Sequence, residues 1–280
     1  MNKILSKLAL LILCIPGIAA TSRADDGTVL HAHYLANAGV MVARGETKLL
    51  FDPFFRNDYG VYALVPADIE AAIMAGEPPY DGIDAMFVSH YHDDHFDPAL
   101  VLAYLEKWPE IEFYAPQQAI DIMLQEVDLP DMSILNRIHG LELAAGGDAA
   151  EIYAEELVIE AAQIAHAGWP SRNTDIDNVT FRVTIDDVAT IVHLGDADKS
   201  REHYEPQREY WQERKPRLAF APVWLLLTEP GRNILDEFVN AEHVIGVHVY
   251  TRVPQDPADR PADFDGLDLF TRPGEVRELR

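Results

Sequence analysis

Residues 88–98, VSHYHDDHFDP, place three histidines and two aspartates in six consecutive positions directly after an apolar run. The segment offers His90, His92, Asp94 and His95 as side chains that can bind a metal. Imidazole nitrogens and carboxylate oxygens suit Zn²⁺, and an irregular loop this rich in them can serve two ions at once. The alternative interpretation is a solvated acidic loop, because a metal site needs further ligands from elsewhere in the chain.

Three more candidate ligands each follow an apolar segment. They are His166 in IAHAGWP, Asp196 in HLGDAD and His248 in VIGVHVY. Taken singly, each histidine is more simply explained as a loop residue, and the aspartate after a glycine as a turn residue. Ligands in α/β proteins collect beyond the carboxyl ends of strands, so their joint occurrence with the dense motif favours a metal site.

The elements that must position these residues form two similar blocks, each with short apolar β-like segments followed by helical patterns. The predicted strands are 29–35, 39–43, 48–51, 85–88, 111–114, 140–143, 150–153, 157–162, 179–185, 189–193, 218–221 and 244–248, and the predicted helices are 66–74, 97–107, 117–126, 201–214 and 234–240. Two β-rich halves with associated helices predict an α/β protein in which two sheets pack face to face and the helices lie outside.

The N-terminus has the pattern of a secretory signal peptide. Lys3 and Lys7 precede a short apolar stretch at 8–20, which small residues follow. This stretch is too short for a confident transmembrane span, and no later stretch is long and apolar enough to cross a bilayer. We therefore expect a signal peptide at residues 1–24, one domain at residues 25–280, and a secreted or periplasmic protein.

Charge and cysteine usage narrow the range of functions. The chain has 47 acidic and 22 basic residues, for a formal charge of −25. Such a surface repels nucleic acid and anionic membranes, which disfavours a nucleic-acid partner. The single cysteine, Cys14, lies inside the predicted signal peptide, so thiolate zinc sites are excluded in the mature chain. Any metal must therefore bind to histidines and carboxylates.

Together these motifs resemble the metallo-β-lactamase-fold hydrolases, most closely the lactonase and phospholipase-D-like branch. The similarity lies in SHYHDDHFD at 89–97, His166, HLGDAD at 193–198 and VIGVHVY at 244–250. The segment 33–55 also resembles the first hairpin of that family. The resemblance spans essentially the whole mature chain, and it implies a four-layer αββα sandwich of two mixed sheets.

The resemblance also implies a role for each candidate ligand. One ion would bind to His90, His92 and His166. The second ion would bind to Asp94, His95 and His248, and Asp196 would bridge the two. Metal-bound water loses a proton near neutral pH, so no serine or cysteine nucleophile is needed. Asp94 would be the catalytic residue, because it can both bind a metal and orient the attacking hydroxide.

Several residues near these motifs are candidates for supporting roles. Asp52 would orient a ligand histidine, and His193 would be a second such residue; the alternatives are a turn aspartate and a strand histidine. The aromatic residues are more often core, but the long segment 54–82 is predicted to cover the site as a lid. The predicted substrate pocket contains Phe54, Phe55, Tyr59 and Trp169.

The predicted function is that of an exported hydrolase with two zinc ions, acting on an ester, lactone or phosphodiester. Mn²⁺ or Fe²⁺ are alternative ions, since metal availability often decides occupancy. Histidine at position 92, where flavodiiron relatives have glutamate, favours hydrolysis over oxygen reduction. Two alternatives remain: a lipid-directed phosphodiesterase of the N-acylphosphatidylethanolamine phospholipase D type, and a non-catalytic metal-binding protein. A small-molecule or lipid-like substrate is the expected partner.

Overall fold

The computed structural model describes residues 28–127, 132–154 and 156–280. The predicted signal peptide lies outside the described residues. The strands are β1 Leu30–Ala36, β2 Gly39–Arg44, β3 Thr47–Phe51, β4 Ala85–Phe87, β5 Glu112–Pro116, β6 Ile138–Leu141, β7 Ala150–Ala154, β8 Leu157–Gln163, β9 Val179–Ile185, β10 Ala189–His193, β11 Leu218–Pro222, β12 His243–Val247 and β13 Val276–Leu279.

The strands form two mixed sheets. The first has seven strands in the order β13-β1-β2-β3-β4-β5-β6, and the second has six in the order β12-β11-β10-β9-β8-β7. In the first sheet β3 to β6 run parallel, and in the second β10, β11 and β12 run parallel. Parallel neighbours bring their carboxyl ends to one edge of a sheet, which is where the predicted ligands follow their strands.

The helices lie outside the two sheets. They are α1 Ala67–Ala75, α2 Pro98–Lys107, α3 Gln117–Glu126, α4 Arg208–Glu213, α5 Val223–Leu227 and α6 Glu229–Ile234, and a π-helical turn, Leu235–Val239, continues α6. One apolar core lies between the sheets, a second lies between the first sheet and α1–α3, and a third lies between the second sheet and α4–α6. The predicted αββα sandwich is therefore confirmed.

Helix α2 begins where the sequence predicts. The Asp97 side chain accepts a hydrogen bond from the backbone N–H of Leu100 at 2.8 Å, and Pro98 occupies the first helical position. This cap ends the histidine-rich loop, so the loop is held between β4 and a fixed helix start. No helix among the described residues is long and apolar enough to span a bilayer.

Two predicted helices differ from the structure. The predicted helix 201–214 is two short 3₁₀ turns, Arg201–His203 and Glu205–Gln207, followed by α4. Pro206 has no backbone N–H to donate, so a continuous helix cannot form through it. The predicted helix 234–240 is the end of a longer helical region. This region starts with α5 and α6, and the π-helical turn Leu235–Val239 completes it. The structure also adds β13, which pairs with the edge of β1.

Candidate metal centre

The seven predicted ligands lie together at one end of the sandwich. The 90–95 loop leaves β4 of the first sheet, and His166 follows β8 of the second. Asp196 follows β10 and His248 follows β12 directly. Three subsets of these residues place their ligand atoms within 4.8 Å of one another: His90, His92 and His166; His90, His95 and Asp196; Asp94, His95 and His248.

One subset is a cluster of three imidazoles. His90 Nε2 lies 3.1 Å from His92 Nδ1 and 3.2 Å from His166 Nε2. His166 Nδ1 lies 2.9 Å from the carbonyl oxygen of Ala167, to which it can donate a proton. With the proton on Nδ1, the His166 Nε2 atom keeps its lone pair for a cation.

The second subset contains two imidazoles and a carboxylate. Asp94 Oδ2 lies 3.2 Å from His248 Nε2 and 3.8 Å from His95 Nε2. The side-chain amide of Asn37 donates to Asp94 Oδ2 at 3.2 Å and to its backbone oxygen at 2.9 Å. The Asp94 carboxylate is therefore held toward the two histidines from the opposite side.

Asp196 lies between the two subsets. Its Oδ2 atom is 3.3 Å from His166 Nε2. Its Oδ1 atom is 3.3 Å from His95 Nε2 and 3.4 Å from His248 Nε2. Each oxygen of this one carboxylate thus faces a different group of imidazoles, which is the arrangement that a bridging ligand requires.

Several buried atoms of the centre have no hydrogen-bond partner within the described part of the chain. They include His95 Nε2, His248 Nε2 and Asp196 Oδ1. All three residues are at least 95% buried. Buried polar atoms in native proteins almost always have a partner, so three convergent exceptions call for an additional group. Their donor types, imidazole nitrogen and carboxylate oxygen, fit a divalent cation.

Asp52 supports this centre from behind. Its Oδ2 atom accepts from His95 Nδ1 at 2.8 Å and from Ser89 Oγ at 2.7 Å, and Oδ1 accepts from the Ser89 backbone N–H at 2.7 Å. His90 Nδ1 lies 3.0 Å from Ser89 Oγ, which is free to accept from it. One buried carboxylate therefore sets the protonation of His95 directly and that of His90 through Ser89.

His193 supports the centre less directly than Asp52 does. Its Nε2 atom donates to the carbonyl oxygen of Ala38 at 2.9 Å, and its ring stacks on Phe51. It lies 4.0 Å from Asp52 Oδ2. His193 thus links the two sheets beneath the centre, and it does not line the cleft.

Sequence reasoning missed three polar residues that position ligands. Ser89 connects Asp52 to His90, and Asn37 holds Asp94. Asn178 Oδ1 accepts from the backbone N–H of Asp196 at 2.8 Å. Ser89 could have been noticed because it directly precedes the motif. Nothing in the sequence marks the two asparagines, because their roles depend on contacts between distant segments.

Charge and burial set the protonation of the centre. Burial lowers the pKa of His90 well below its usual value, and burial and the nearby His166 lower the pKa of His92. For Asp196 burial opposes ionisation, but His248 and His95 outweigh it and hold the pKa of the carboxyl well below its usual range. For His95 burial opposes protonation, but Asp196 and Asp94 outweigh it and raise the pKa of the imidazole well above its usual value. Low pKa values keep His90 and His92 neutral, as metal binding requires, whereas a cation bound to His95 would have to displace a proton.

A cleft of about 770 Å³ opens above the centre. Of the four residues predicted to form a substrate pocket, Tyr59 and Trp169 line this cleft. Phe54 and Phe55 do not, because each is 1% exposed and packs in the core between the first sheet and its helices. The sequence shows an aromatic cluster but not its direction. The other cleft-lining residues are Val61, Tyr62, His92, Asp94, His166, Ala167, Gly168, Arg172, Asn173, Asp196, Asp198, Lys199, Trp224, His248 and Tyr250.

Only part of the predicted lid covers the cleft. Tyr59, Val61 and Tyr62 line it, and the carbonyl oxygen of Val61 accepts from the backbone N–H of Thr251 at 2.8 Å. The Tyr62 ring lies edge-on to His248 at 4.1 Å between centroids. The rest of the segment contains α1, which packs on the first sheet through Ile73.

Comparison with known proteins agrees with this fold. Residues 47–222, more than half of the chain, match the family model described as the beta-lactamase superfamily domain, and the chain belongs to this family. The resemblance predicted from the motifs is thereby confirmed at the level of the superfamily. No curated protein matches the chain.

Solved structures share the fold at low sequence identity. A possible metal-dependent hydrolase from Veillonella parvula has a TM-score of 0.60 and 14% identity, over 90% of this chain and 100% of that chain. Igni18, a metallo hydrolase from Ignicoccus hospitalis, has a TM-score of 0.58 and 15% identity, over 90% and 99%. CmlA, a diiron β-hydroxylase from Streptomyces venezuelae, has a TM-score of 0.50 and 17% identity, over 90% and 54%.

Proposed function

We propose that this protein is a metal-dependent hydrolase with a centre for two divalent cations. One cation would bind to His90, His92 and His166, and the other to Asp94, His95 and His248. The observation that carries this proposal is the position of Asp196, whose two carboxylate oxygens face different imidazole groups at 3.3–3.4 Å. The partnerless buried atoms of His95, His248 and Asp196 support it independently.

Two bound cations would supply a water nucleophile at neutral pH and polarise the carbonyl or phosphoryl oxygen under attack. The protein would supply orientation. Asp52 and Ser89 would keep protons on the Nδ1 atoms of His95 and His90, so that the lone pairs of both Nε2 atoms are available to the cations. Asp94, fixed by Asn37, would accept a hydrogen bond from the attacking water and direct its lone pair toward the substrate.

The proposed substrate is an ester, lactone or phosphodiester, and the proposed ions are zinc. Zinc suits an all-imidazole and carboxylate donor set and needs no redox partner. The names of two structural neighbours, a metallo hydrolase and a possible metal-dependent hydrolase, favour hydrolysis. The diiron neighbour makes iron the alternative to test for metal content.

One observation favours a lipid-directed phosphodiesterase as the second candidate. Three apolar side chains in the segment beside the cleft are exposed: Tyr59 by 55%, Val61 by 38% and Leu64 by 41%. An exposed apolar strip at the mouth of a site is typical of surfaces that contact apolar substrates or membranes. The net charge of −25 opposes binding to anionic membranes, which leaves neutral or zwitterionic lipid as the substrate of this candidate.

The decisive experiment combines metal analysis with turnover. Full-length protein is loaded with zinc, manganese or iron, its metal content is measured, and it is assayed on an aryl ester, a lactone, a bis-aryl phosphodiester and a zwitterionic phospholipid. Asp94→Ala should lower activity by about 10²–10⁴-fold, the usual range for loss of a general base. Asp68→Ala, an exposed change on α1, is the matched control.

The outcomes separate the candidates. Turnover of the soluble reporters supports the first candidate, and turnover confined to lipid supports the second. Two bound ions without turnover of any substrate would favour a non-catalytic metal-binding protein. Protein that binds no divalent ion would contradict all three.

Export and domain organisation are also proposals. The signal peptide at 1–24 would direct the protein to the periplasm or the exterior, and residues 25–280 would form one domain. The absence of cysteine after Cys14 means that such a mature protein would depend on its cores rather than on disulfides.

A further inference from the structure

Two basic side chains, Arg172 and Lys199, line the cleft above the metal centre. They belong to adjacent loops that hydrogen bonds join. The backbone N–H of Ala167 donates to the Asp196 oxygen at 2.7 Å, and that of Asp198 donates to the Ala165 oxygen at 2.8 Å. The two loops therefore form one continuous wall, and we call Arg172 and Lys199 the cationic wall.

Neither member of the cationic wall has an ion-pair partner within the ranges that the structure describes. Other basic side chains, such as Arg44, Arg56 and Arg182, pair with carboxylates. The carboxylate of the same wall, Asp198, accepts instead from the backbone N–H groups of Ser200 at 2.8 Å and Gly168 at 3.3 Å. Both basic groups are exposed and available to a ligand.

Aromatic side chains line the part of the cleft around His248. Tyr62 stacks on Tyr250 with centroids 5.3 Å apart, and Trp224 lies 5.2 Å from the His248 ring. We call these three residues the aromatic wall. The basic side chains thus lie on the loops that follow His166 and Asp196, and the aromatic rings lie around His248. The two walls adjoin, because Trp224 Nε1 donates to the Ala197 oxygen at 2.9 Å. A substrate with an anionic group at one end and an apolar group at the other fits this division.

The net charge of the chain explains why basic side chains in the cleft would matter to an anionic substrate. A formal net charge of −25 repels anions as they approach, and salt screens this repulsion beyond about 8–10 Å. Asp94, Asp196 and Asp198 also line the cleft, so Arg172 and Lys199 would reverse that repulsion locally when two divalent cations offset these carboxylates. Guanidinium and ammonium groups form charge-assisted hydrogen bonds with carboxylate or phosphate oxygens, which are about twice as strong as neutral ones.

We propose that the cleft selects substrates that carry an anionic oxygen group, carboxylate or phosphate, separate from the bond that is cleaved. Arg172 and Lys199 bind this group, and Tyr62, Tyr250 and Trp224 contact the apolar part of the substrate. Arg172 and Lys199 are specificity-determining residues, and the metal ligands are unaffected by them. The inference rests on the proposed hydrolytic function and assigns the class of substrate to it.

The first test is a matched pair of substrates. Zinc-loaded full-length protein is assayed on an aryl ester whose acyl chain ends in a carboxylate and on the same ester ending in a primary amide. We expect a higher kcat/KM for the carboxylate, expressed mainly in KM and reduced by salt. Arg172→Gln and Lys199→Met should each lower this preference about tenfold, the scale of one charged hydrogen bond. Arg272→Gln removes the same charge outside the cleft and should leave the preference unchanged.

The same pair with a phosphate in place of the carboxylate identifies the preferred anion. Equal kcat/KM for the anionic and amide esters in the wild type would overturn the inference while leaving hydrolysis intact. A preference that Arg172→Gln and Lys199→Met do not alter would also overturn it, because the anion would then bind elsewhere.

A binding measurement separates this inference from the proposed function. Glutarate and glutaramide are titrated calorimetrically into the wild type and into the Arg172→Gln/Lys199→Met double variant, each with and without zinc. Glutarate should bind more tightly to the wild type in both metal states. If no ester is cleaved, the proposed function fails, and the glutarate comparison still decides the inference. Equal glutarate affinity in wild type and double variant would refute it.

Discussion

Replacing Asp52 with asparagine tests how the metal centre is held. Asp52 is fully buried, and its carboxylate accepts three hydrogen bonds, one from His95 Nδ1 and two from Ser89. Asparagine has the same shape but only one acceptor oxygen. If its amide nitrogen replaces Oδ2, it opposes the donors of Ser89 and His95. If it replaces Oδ1, it opposes the Ser89 backbone N–H. Either orientation leaves buried donors facing each other.

The expected magnitude follows from these contacts. One unsatisfied buried polar group costs about 1–3 kcal/mol. Loss of a group that orients a ligand histidine weakens metal affinity by about 10–100-fold, which corresponds to about 1.4–2.7 kcal/mol. The two estimates agree. We therefore expect the affinity for the cation on His95 to fall by about 10–100-fold, and the effect on the cation of His90 to be smaller because Ser89 intervenes.

Competition between the protein and a calibrated chelator measures both stepwise affinities. Ser89→Ala removes the hydroxyl that joins Asp52 to His90 and leaves the Asp52–His95 hydrogen bond in place, so it should weaken the ion at His90, His92 and His166 more than the other ion. Asp68→Asn is the matched control, since this aspartate is exposed on α1. Two stepwise affinities in Asp52→Asn that equal those of the wild type would refute the role assigned to Asp52.

Three further predictions concern the remainder of the molecule. Glu160→Gln should lower the free energy of unfolding by about 3 kcal/mol, because it removes the carboxylate that pairs with the buried guanidinium of Arg182 and leaves only the more distant Glu213 at 3.9 Å. Chemical denaturation checks this, and a loss below about 1 kcal/mol would contradict it. Burial raises the pKa of Tyr34 and Tyr204 above 10, so the stability that they contribute is complete below pH 10 and is lost as the pH rises further. Unfolding followed by circular dichroism should therefore begin above pH 10. Unfolding midpoints that do not change between pH 9 and 11 would contradict this. Expression in a bacterium should give mature protein that begins near Asp25, which N-terminal sequencing detects, whereas an intact N-terminus in the periplasmic fraction would contradict cleavage.

Much of the fold was predictable from local patterns. Strand β9 alternates apolar residues with Thr180, Arg182 and Thr184, and Asp97 with Pro98 marks the start of α2. The helix 201–214 was wrongly predicted and strand β13 was missed, each for a local reason. Pro206 lies inside a charged stretch that otherwise has helical periodicity, and β13 has only four residues, whose pairing with β1 no local signal indicates.

The grouping of the candidate metal ligands was predictable where ligand type and strand position coincide. His90 to His95 form a dense motif, and Asp196 follows an apolar strand. The roles of Asn37 and Asn178 were not predictable, since each contacts a residue brought near only by the packing of the sheets. Phe54 was assigned to the pocket because composition alone cannot say which side of a loop an aromatic ring occupies.

The candidate ligands come from both sheets of the sandwich, and this has a mechanical consequence. His90 to His95 leave the first sheet, whereas His166, Asp196 and His248 leave the second. A pair of cations at Asp196 would cross-link the two sheets, because each cation would join segments that are far apart in the sequence. Removing the ions should therefore weaken the contact between the two sheets before either sheet unfolds. Amide hydrogen exchange in the loops that carry the ligands would then report metal occupancy without any substrate.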